Sequence, residues 1–161
     1  VERSRGLGDV YKRQVSKGEY VWSTYTRDNL FFGGFDSRNL WSFATMANMT
    51  SDLSGAEIKS IKATFKVSDT YASSGANVGV WIHGYSSYGT QSPSSLGTAV
   101  KTISGAKEGS TYSVDIPSKH FPMFKSGGIR GIAFGFNSHV NLPLNGRILR
   151  SSIKFAISYY K

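Results

Sequence analysis

The sequence predicts an all-β fold, an antiparallel β-sandwich of the jelly-roll type. Apolar residues recur at every second position in at least six short segments, and glycine- and serine-rich turns separate those segments. No long stretch follows the helical period, and 161 residues are enough for one hydrophobic core. We therefore expect a single domain, residues 15–161, preceded by a leader, residues 1–14.

The leader reads VERSRGLGDVYKRQ and has no clear structural pattern. Its segment GLGDVYKRQ resembles the translated read-through of a sequencing adapter at the end of a metagenomic contig. The leader is therefore interpreted as non-native or unstructured, and the domain as the C-terminal module of a longer protein. The leader carries four basic and two acidic residues, so without it the formal charge falls from +9 to +7. A basic domain favours acidic partners such as anionic polymers.

Two central strands are the best-defined elements. From residue 61 to residue 67, apolar and polar side chains alternate strictly, which is typical of a half-buried strand. The polar segment SDTYASSGAN then leads into a second strand over residues 78–85. Its even positions 78, 80 and 82 are β-branched, whereas its odd positions from residue 81 onwards are aromatic. One face of this strand is predicted to be core.

The remaining elements are predicted in chain order from shorter patterns. Aromatic-rich segments separated by Gly-Gly and Asp-Ser turns precede the central strands, and a loop rich in serine follows them. In the strand at 132–136 large side chains alternate with glycine or alanine, so its bare face implies close approach of a backbone or a ligand. The predicted short strands are 20–25, 30–32, 40–43, 99–103, 112–116, 132–136 and 153–159, and the predicted helical turns lie within 44–53 and 117–128.

The aromatic face of the second central strand is the main candidate binding site. Flat rings stack on sugar rings, and nearby amides and arginine side chains hydrogen-bond sugar hydroxyls. The alternative is that loops or a neighbouring subunit cover this face. A second candidate patch comes from the segment before the central strands. The candidate carbohydrate-binding residues are Trp81, His83, Tyr85, Tyr88, Arg38 and Trp41.

A basic stripe is a second candidate site. Lys62 and Lys66 share a face of the first central strand, and Arg150 and Lys154 belong to the last strand. If these two strands pair, the four cations form a stripe suited to an anionic polymer. The alternative is a solvated outer face on which lysines oppose edge-to-edge aggregation.

Catalysis and metal binding have little support in the sequence. Without cysteine there is no thiol nucleophile, cysteine zinc site or disulfide, and no HExxH, GxSxG or phosphate-loop motif occurs. The acids lie in turn-like contexts, apart from Asp115 in a strand. Asp28 with Asn29, or Asp36 with Asn39, could donate oxygen ligands to calcium, but ordinary turns use the same residue types, so this pattern does not indicate a calcium site. We expect no enzyme activity, cofactor or metal, no membrane span, and no nucleic-acid partner because the basic residues are scattered.

The order of motifs resembles β-sandwich modules near the C-termini of phage tail and minor structural proteins. In those modules an L-x-G-x-x-I turn, here Leu53, Gly55 and Ile58, leads into a long alternating strand, and a later strand ends in histidine, here His83. Related sandwiches occur as carbohydrate-binding modules of secreted bacterial hydrolases. The resemblance implies an adhesion role on a virion tail or outside the cell.

The predicted function is therefore non-catalytic recognition of a host-envelope glycan by aromatic stacking with basic support. One alternative is a structural virion assembly module without a ligand. The other is a polysaccharide- or cell-wall-binding appendage of a secreted hydrolase. A cell-surface polysaccharide is the expected partner, and a homotrimer or other homo-oligomer is a further expectation, since tail proteins commonly trimerise.

Overall fold

The computed structural model describes residues 10–20, 29–35, 38–40, 42–46, 49–85, 97–135 and 146–160. Ten strands, two short α-helices and one 3-10 turn make up these ranges. The strands are β1 (Val10–Tyr20), β2 (Asn29–Phe35), β3 (Arg38–Leu40), β4 (Ser42–Met46), β5 (Glu57–Thr70), β6 (Ala76–His83), β7 (Lys101–Ala106), β8 (Thr111–Asp115), β9 (Gly131–Gly135) and β10 (Gly146–Tyr160). The helices are α1 (Thr50–Leu53) and α2 (Phe121–Ser126), the latter preceded by the 3-10 turn Ser118–His120.

The strands form two antiparallel sheets, which confirms the predicted sandwich. In sheet A, β8 pairs with β5 and β5 with β10, while the other edge of β10 pairs with β2 and then with β1. In sheet B the order is β1, β4, β9, β6, β7. Strand β1 pairs with β10 through residues 10–14 and with β4 through residues 15–20, so it belongs to both sheets. A strand that changes sheet in this way forms a corner of a sandwich.

Two of the predicted assignments differ in kind from the structure. Residues 10–14, set aside as part of the leader, lie in β1 and pair with β10. Residues 44–46, expected in a helix or turn, instead continue the strand predicted at 40–43 as β4, because β4 pairs on both sides, with β1 and β9, and this pairing outweighs local preference. The strand expected at 20–25 falls mainly on residues outside the described part.

The core lies between the sheets, where the alternating side chains of each sheet meet. Sheet A contributes every second residue of β5 and of the C-terminal half of β10, and sheet B contributes the even positions of β6 and β9. Phe65 of sheet A meets Phe134 of sheet B edge to face, with ring centroids 4.8 Å apart. The central buried residues are Ile61, Ala63, Phe65, Val67, Val78, Val80, Ile132, Phe134, Ile153, Phe155 and Ile157.

The two helices close one end of the core. Leu53 of α1 is fully buried, and Gly55 (φ 71°) turns the chain into β5 with the left-handed backbone that favours glycine. Phe124 of α2 is also buried, 5.7 Å between ring centroids from Phe155 of β10. The L-x-G-x-x-I segment thus forms the turn that its sequence predicts.

A bulge interrupts the long pairing of β5 with β10. Lys66 lies opposite Leu149, and Thr64 lies opposite Lys154, so β10 has extra residues at this point. The Ser152 hydroxyl accepts a hydrogen bond from the Lys66 backbone N–H at 2.8 Å and donates one to the Leu149 carbonyl at 2.5 Å. The Ser152 side chain therefore pairs two of the backbone groups that the bulge takes out of the ladder.

Candidate functional site

The outer face of sheet B carries the aromatic residues that the sequence singled out. Trp81 lies opposite Ala133 of β9, and Ala133 lies opposite Phe43 of β4. These three side chains are buried and form a second, smaller hydrophobic cluster, against which Tyr85 and Ala99 pack. This face is therefore an additional core and not an open surface.

Trp81 occupies a closed position in that cluster. Its side chain is 2% exposed, and its indole N–H donates to the Gly97 carbonyl at 3.1 Å. A Cβ on Gly79 would overlap the indole ring, so the glycine makes room for the ring against the strand. Trp81 therefore has no ring face free for a sugar, and the expectation that it is an exposed stacking residue is wrong.

His83 is also buried, at 3% exposure. Its Nε2 lies 3.0 Å from the Ala44 carbonyl, and the Tyr85 backbone N–H donates to its Nδ1 at 3.1 Å. Because Nδ1 accepts a hydrogen bond, the neutral ring carries its proton on Nε2, which donates to Ala44. Desolvation by burial lowers the pKa of His83 from 6.5 to about 4, although hydrogen bonds to the Ala44 and Ile132 backbone oppose this shift. His83 is thus a neutral packing residue at pH 7 and not a ligand-facing one.

The bare face of β9 explains how His83 fits. A Cβ on Gly131 would overlap the Ala44 carbonyl oxygen and would lie 2.5 Å from His83 Nε2. The predicted close approach is therefore made by the neighbouring backbone of β4 together with the imidazole.

The other predicted sugar-contact residues give no assembled site. Tyr85 is half-buried, and its ring stacks on the His83 ring with centroids 5.5 Å apart. The Tyr85 ring also meets the Phe43 ring edge to face, again with centroids 5.5 Å apart. Tyr88 and Trp41 lie outside the described residues. Arg38 lies in β3, and its side chain is outside the described part.

The outer face of sheet A carries the basic stripe. Strands β5 and β10 pair as the stripe requires, and Lys154 lies opposite Thr64, next to the position of Lys62 opposite Ala156. Lys62 and Lys154 are exposed, whereas Lys66 and Arg150 are half-buried. The Asp115 carboxylate is 3.9 Å from Lys62 Nζ, but both side chains are more than half exposed, so solvent screens this pair. The sheet places these four cations along one pair of strands.

A cleft of about 550 Å³, which sequence reasoning missed, lies where α1 and the start of β5 meet α2. Its lining includes Ser54, Ile58, Phe121, Pro122 and Lys125. The two walls come from segments more than sixty residues apart in the chain, so no local pattern could indicate it.

Neither a group of metal-ligating side chains nor a membrane-spanning helix was found among the described residues. No group of three or more histidine, aspartate or glutamate side chains that could hold a metal ion occurs among the described residues. Within the same ranges, no helix is both long and apolar enough to cross a bilayer.

Comparisons with known proteins give a distant likeness only. No family model and no curated protein matches the chain. Among solved structures, a cleaved adhesin domain of Lys-gingipain from Porphyromonas gingivalis is similar over 94% of this chain and 96% of that chain, with 12% sequence identity and a TM-score of 0.30. At that TM-score we infer neither fold nor function from the likeness, so the fold rests on strand pairing and the function on surface chemistry.

Proposed function

We propose that this domain is a non-catalytic adhesion module that binds an anionic polysaccharide of a bacterial envelope through the outer face of sheet A. The observation that supports the proposal is the pairing of β5 with β10, which brings Lys62, Lys66 and Lys154 to one polar face, with Arg150 in the bulge of β10 between the positions opposite Lys66 and Thr64. The aromatic face of sheet B is packed, so charge and hydrogen bonding replace stacking as the main source of binding free energy.

The chemistry of this face suits a sugar polymer that carries carboxylate or phosphate groups. Lysine ammonium groups act as mobile point charges, which can follow a repeating anion without demanding one fixed geometry. Hydroxyl groups lie between them: Thr64 Oγ1 and Ser113 Oγ are 3.5 Å apart on neighbouring strands. Such hydroxyls can donate to and accept from sugar hydroxyls. A basic net charge also attracts anionic chains at long range.

The proposal extends to location and context. A virion tail or a bacterial surface follows from the resemblance to tail-protein modules, and both expose a domain to envelope polymers. The proposal assigns no catalytic step to any residue.

The test measures retention of the full chain on purified bacterial cell walls and on an acidic polysaccharide, at low and at high salt. The double variant Lys62→Glu/Lys154→Glu reverses two charges of the stripe. Lys101→Glu/Lys119→Glu is the matched control, because it changes the net charge equally at exposed residues outside the β5–β10 pair. We expect the stripe variant and high salt to abolish retention, and the control variant to keep most of it.

Two results would overturn the proposal. Equal loss in both double variants would mean that net charge alone drives retention. Retention that survives high salt and is competed by a neutral sugar would place the binding elsewhere. A neutral polysaccharide of similar length serves as the competitor that should have no effect.

A further inference from the structure

The cleft between α1, β5 and α2 lies apart from the cations of the stripe. Its volume of about 550 Å³ falls within the range of small-molecule sites, which is roughly 300–1,000 Å³. The cleft is an open surface depression whose two walls are held by core residues. Leu53 and Phe124, which anchor the two walls, are both buried.

The two helices that form the walls of the cleft contact each other. Gly127 ends α2 with φ 84°, and a Cβ at this position would lie 3.0 Å from Thr50 Cγ2 of α1. The glycine thus lets Thr50 of α1 lie close to the end of α2. Because each wall is anchored by a buried core residue, Leu53 or Phe124, little ordering of the walls is needed on binding, which lowers the entropy cost.

The lining combines a flat apolar surface with polar groups at its rim. Ile58 and Phe121 are partly buried against the core, and Pro122 is exposed beside them. Aromatic and proline rings offer flat surfaces to the C–H face of a sugar ring. Ser54 and Ser126 also line the cleft, and the Ser126 hydroxyl is hydrogen-bonded to the Met123 carbonyl and the Gly128 N–H.

Two charged residues line the cleft, Glu57 and Lys125. Glu57 already accepts a hydrogen bond from Lys59 Nζ at 2.5 Å. Lys125, by contrast, is exposed and has no ion pair or hydrogen bond among the described residues. The ammonium group of Lys125 is therefore available to an anionic ligand.

We propose that this cleft binds one acidic sugar ring, a hexuronic or sialic acid. The apolar face of the ring packs on Phe121 and Pro122, its carboxylate pairs with Lys125, and its hydroxyls reach Ser54. The site does not depend on the basic stripe, because none of the four stripe residues lines the cleft. A sugar acid can therefore bind here whether or not the stripe holds a polymer.

The test is an NMR titration of the full chain with glucuronic acid, N-acetylneuraminic acid and, as the neutral control, glucose. The expected result is that at least one acid shifts the backbone amide signals of residues 54–58 and 121–126, while glucose binds at least about tenfold more weakly. Lys125→Met keeps the alkyl chain and removes the charge, and should weaken binding of the acid by roughly tenfold.

Matched variants separate a binding role from a structural one. Lys119→Met removes a charge just outside the cleft and should leave the affinity unchanged. Phe121→Leu keeps an apolar side chain but removes the flat ring. It should lower the affinity for both the acids and glucose, while the spectrum of the unbound variant remains that of a folded protein. The stripe variant Lys62→Glu/Lys154→Glu should bind the sugar acids normally, which distinguishes failure at one site from failure at the other.

Three outcomes would overturn this proposal. The first is the absence of shifts at residues 54–58 and 121–126 with either acid. The second is equal affinity for glucose and the acids. The third is equal loss of affinity in Lys125→Met and Lys119→Met, which would mean that only net charge matters.

Discussion

Single residues decide which face of this sandwich can meet a ligand. Trp81 and His83 lie on the outer face of sheet B, yet both are more than 95% buried and hydrogen-bonded to backbone groups. The same residue types on an open face would be candidates for sugar stacking. Here their hydrogen bonds and packing make them part of the fold.

Trp81→Ala should destabilise the domain by about 3–5 kcal/mol, because it leaves a cavity in a closed cluster. Trp81→Phe should cost less, since it keeps an aromatic ring and loses mainly the hydrogen bond to Gly97. Urea unfolding followed by circular dichroism measures both. A Trp81→Ala protein of unchanged stability that has lost sugar binding would restore the stacking interpretation.

His83 should make stability depend on pH. Its pKa is about 4 when folded and about 6.5 when unfolded, so the unfolded chain takes up a proton first as the pH falls. Above about pH 6.5 His83 is neutral in both states and does not reduce the free energy of unfolding. As the pH falls from about 6.5 to about 4, protonation of the unfolded chain lowers this free energy by about 3 kcal/mol in total. Urea unfolding at several pH values over this range measures the effect.

His83→Gln supplies the control for this pH dependence, because all carboxyl groups remain in the variant. We expect the variant to be less stable at pH 7 but to lose less stability than the parent between about pH 6.5 and about pH 4. An identical pH profile in both proteins would contradict the assignment.

Secondary-structure elements set where close contacts are allowed, and β9 shows this most clearly. Gly131 and Ala133 of β9 face outward from sheet B, where large side chains of β6 and β4 lie against them. The small residues of one strand thus accommodate the large residues of its neighbours. This pairing of bare and aromatic strands is what closes the outer face.

Gly131→Ala should destabilise the protein by about 1–3 kcal/mol or more, because the new methyl group would overlap the Ala44 carbonyl and the His83 ring. Gly128→Ala is the matched control. There the nearest atom is the flexible end of Met123 at 3.3 Å, which can move aside. Chemical denaturation measures the free energy of unfolding of both variants. An equal loss of stability would mean that the close contacts of Gly131 with Ala44 and His83 do not make the substitution more costly.

On the scale of the whole molecule, strand alternation predicted the sandwich and its core. The strict alternation from Ile61 to Val67 fixes which side of β5 is buried, and the same holds for β10 from Ile153 onwards. Alternation also placed Trp81 and His83 on the same face of their strand, but it does not show whether other parts of the chain cover that face. That depends on the order of strands and on contacts between distant segments. The cleft and the bulge at Ser152 were missed for the same reason.

Strand β1 connects the two sheets, and its first residues belong to the segment that the sequence assigned to a leader. Val10 to Gln14 pair with β10 along residues 154–158, and the rest of β1 pairs with β4. Without residues 10–14, the edge of β10 would lose these backbone partners. Exposed unpaired edges also promote association between chains.

Deleting residues 1–14 should therefore lower stability by at least about 2 kcal/mol relative to deletion of residues 1–9, which leaves β1 whole. Thermal unfolding of the two truncated proteins, with light scattering to detect association, makes the comparison. Because both proteins lack residues 1–9, the difference between them reports on residues 10–14 alone. Equal stability would mean that the domain is complete from Val15 onwards and that the pairing of residues 10–14 with β10 adds nothing, as expected of a leader foreign to the fold.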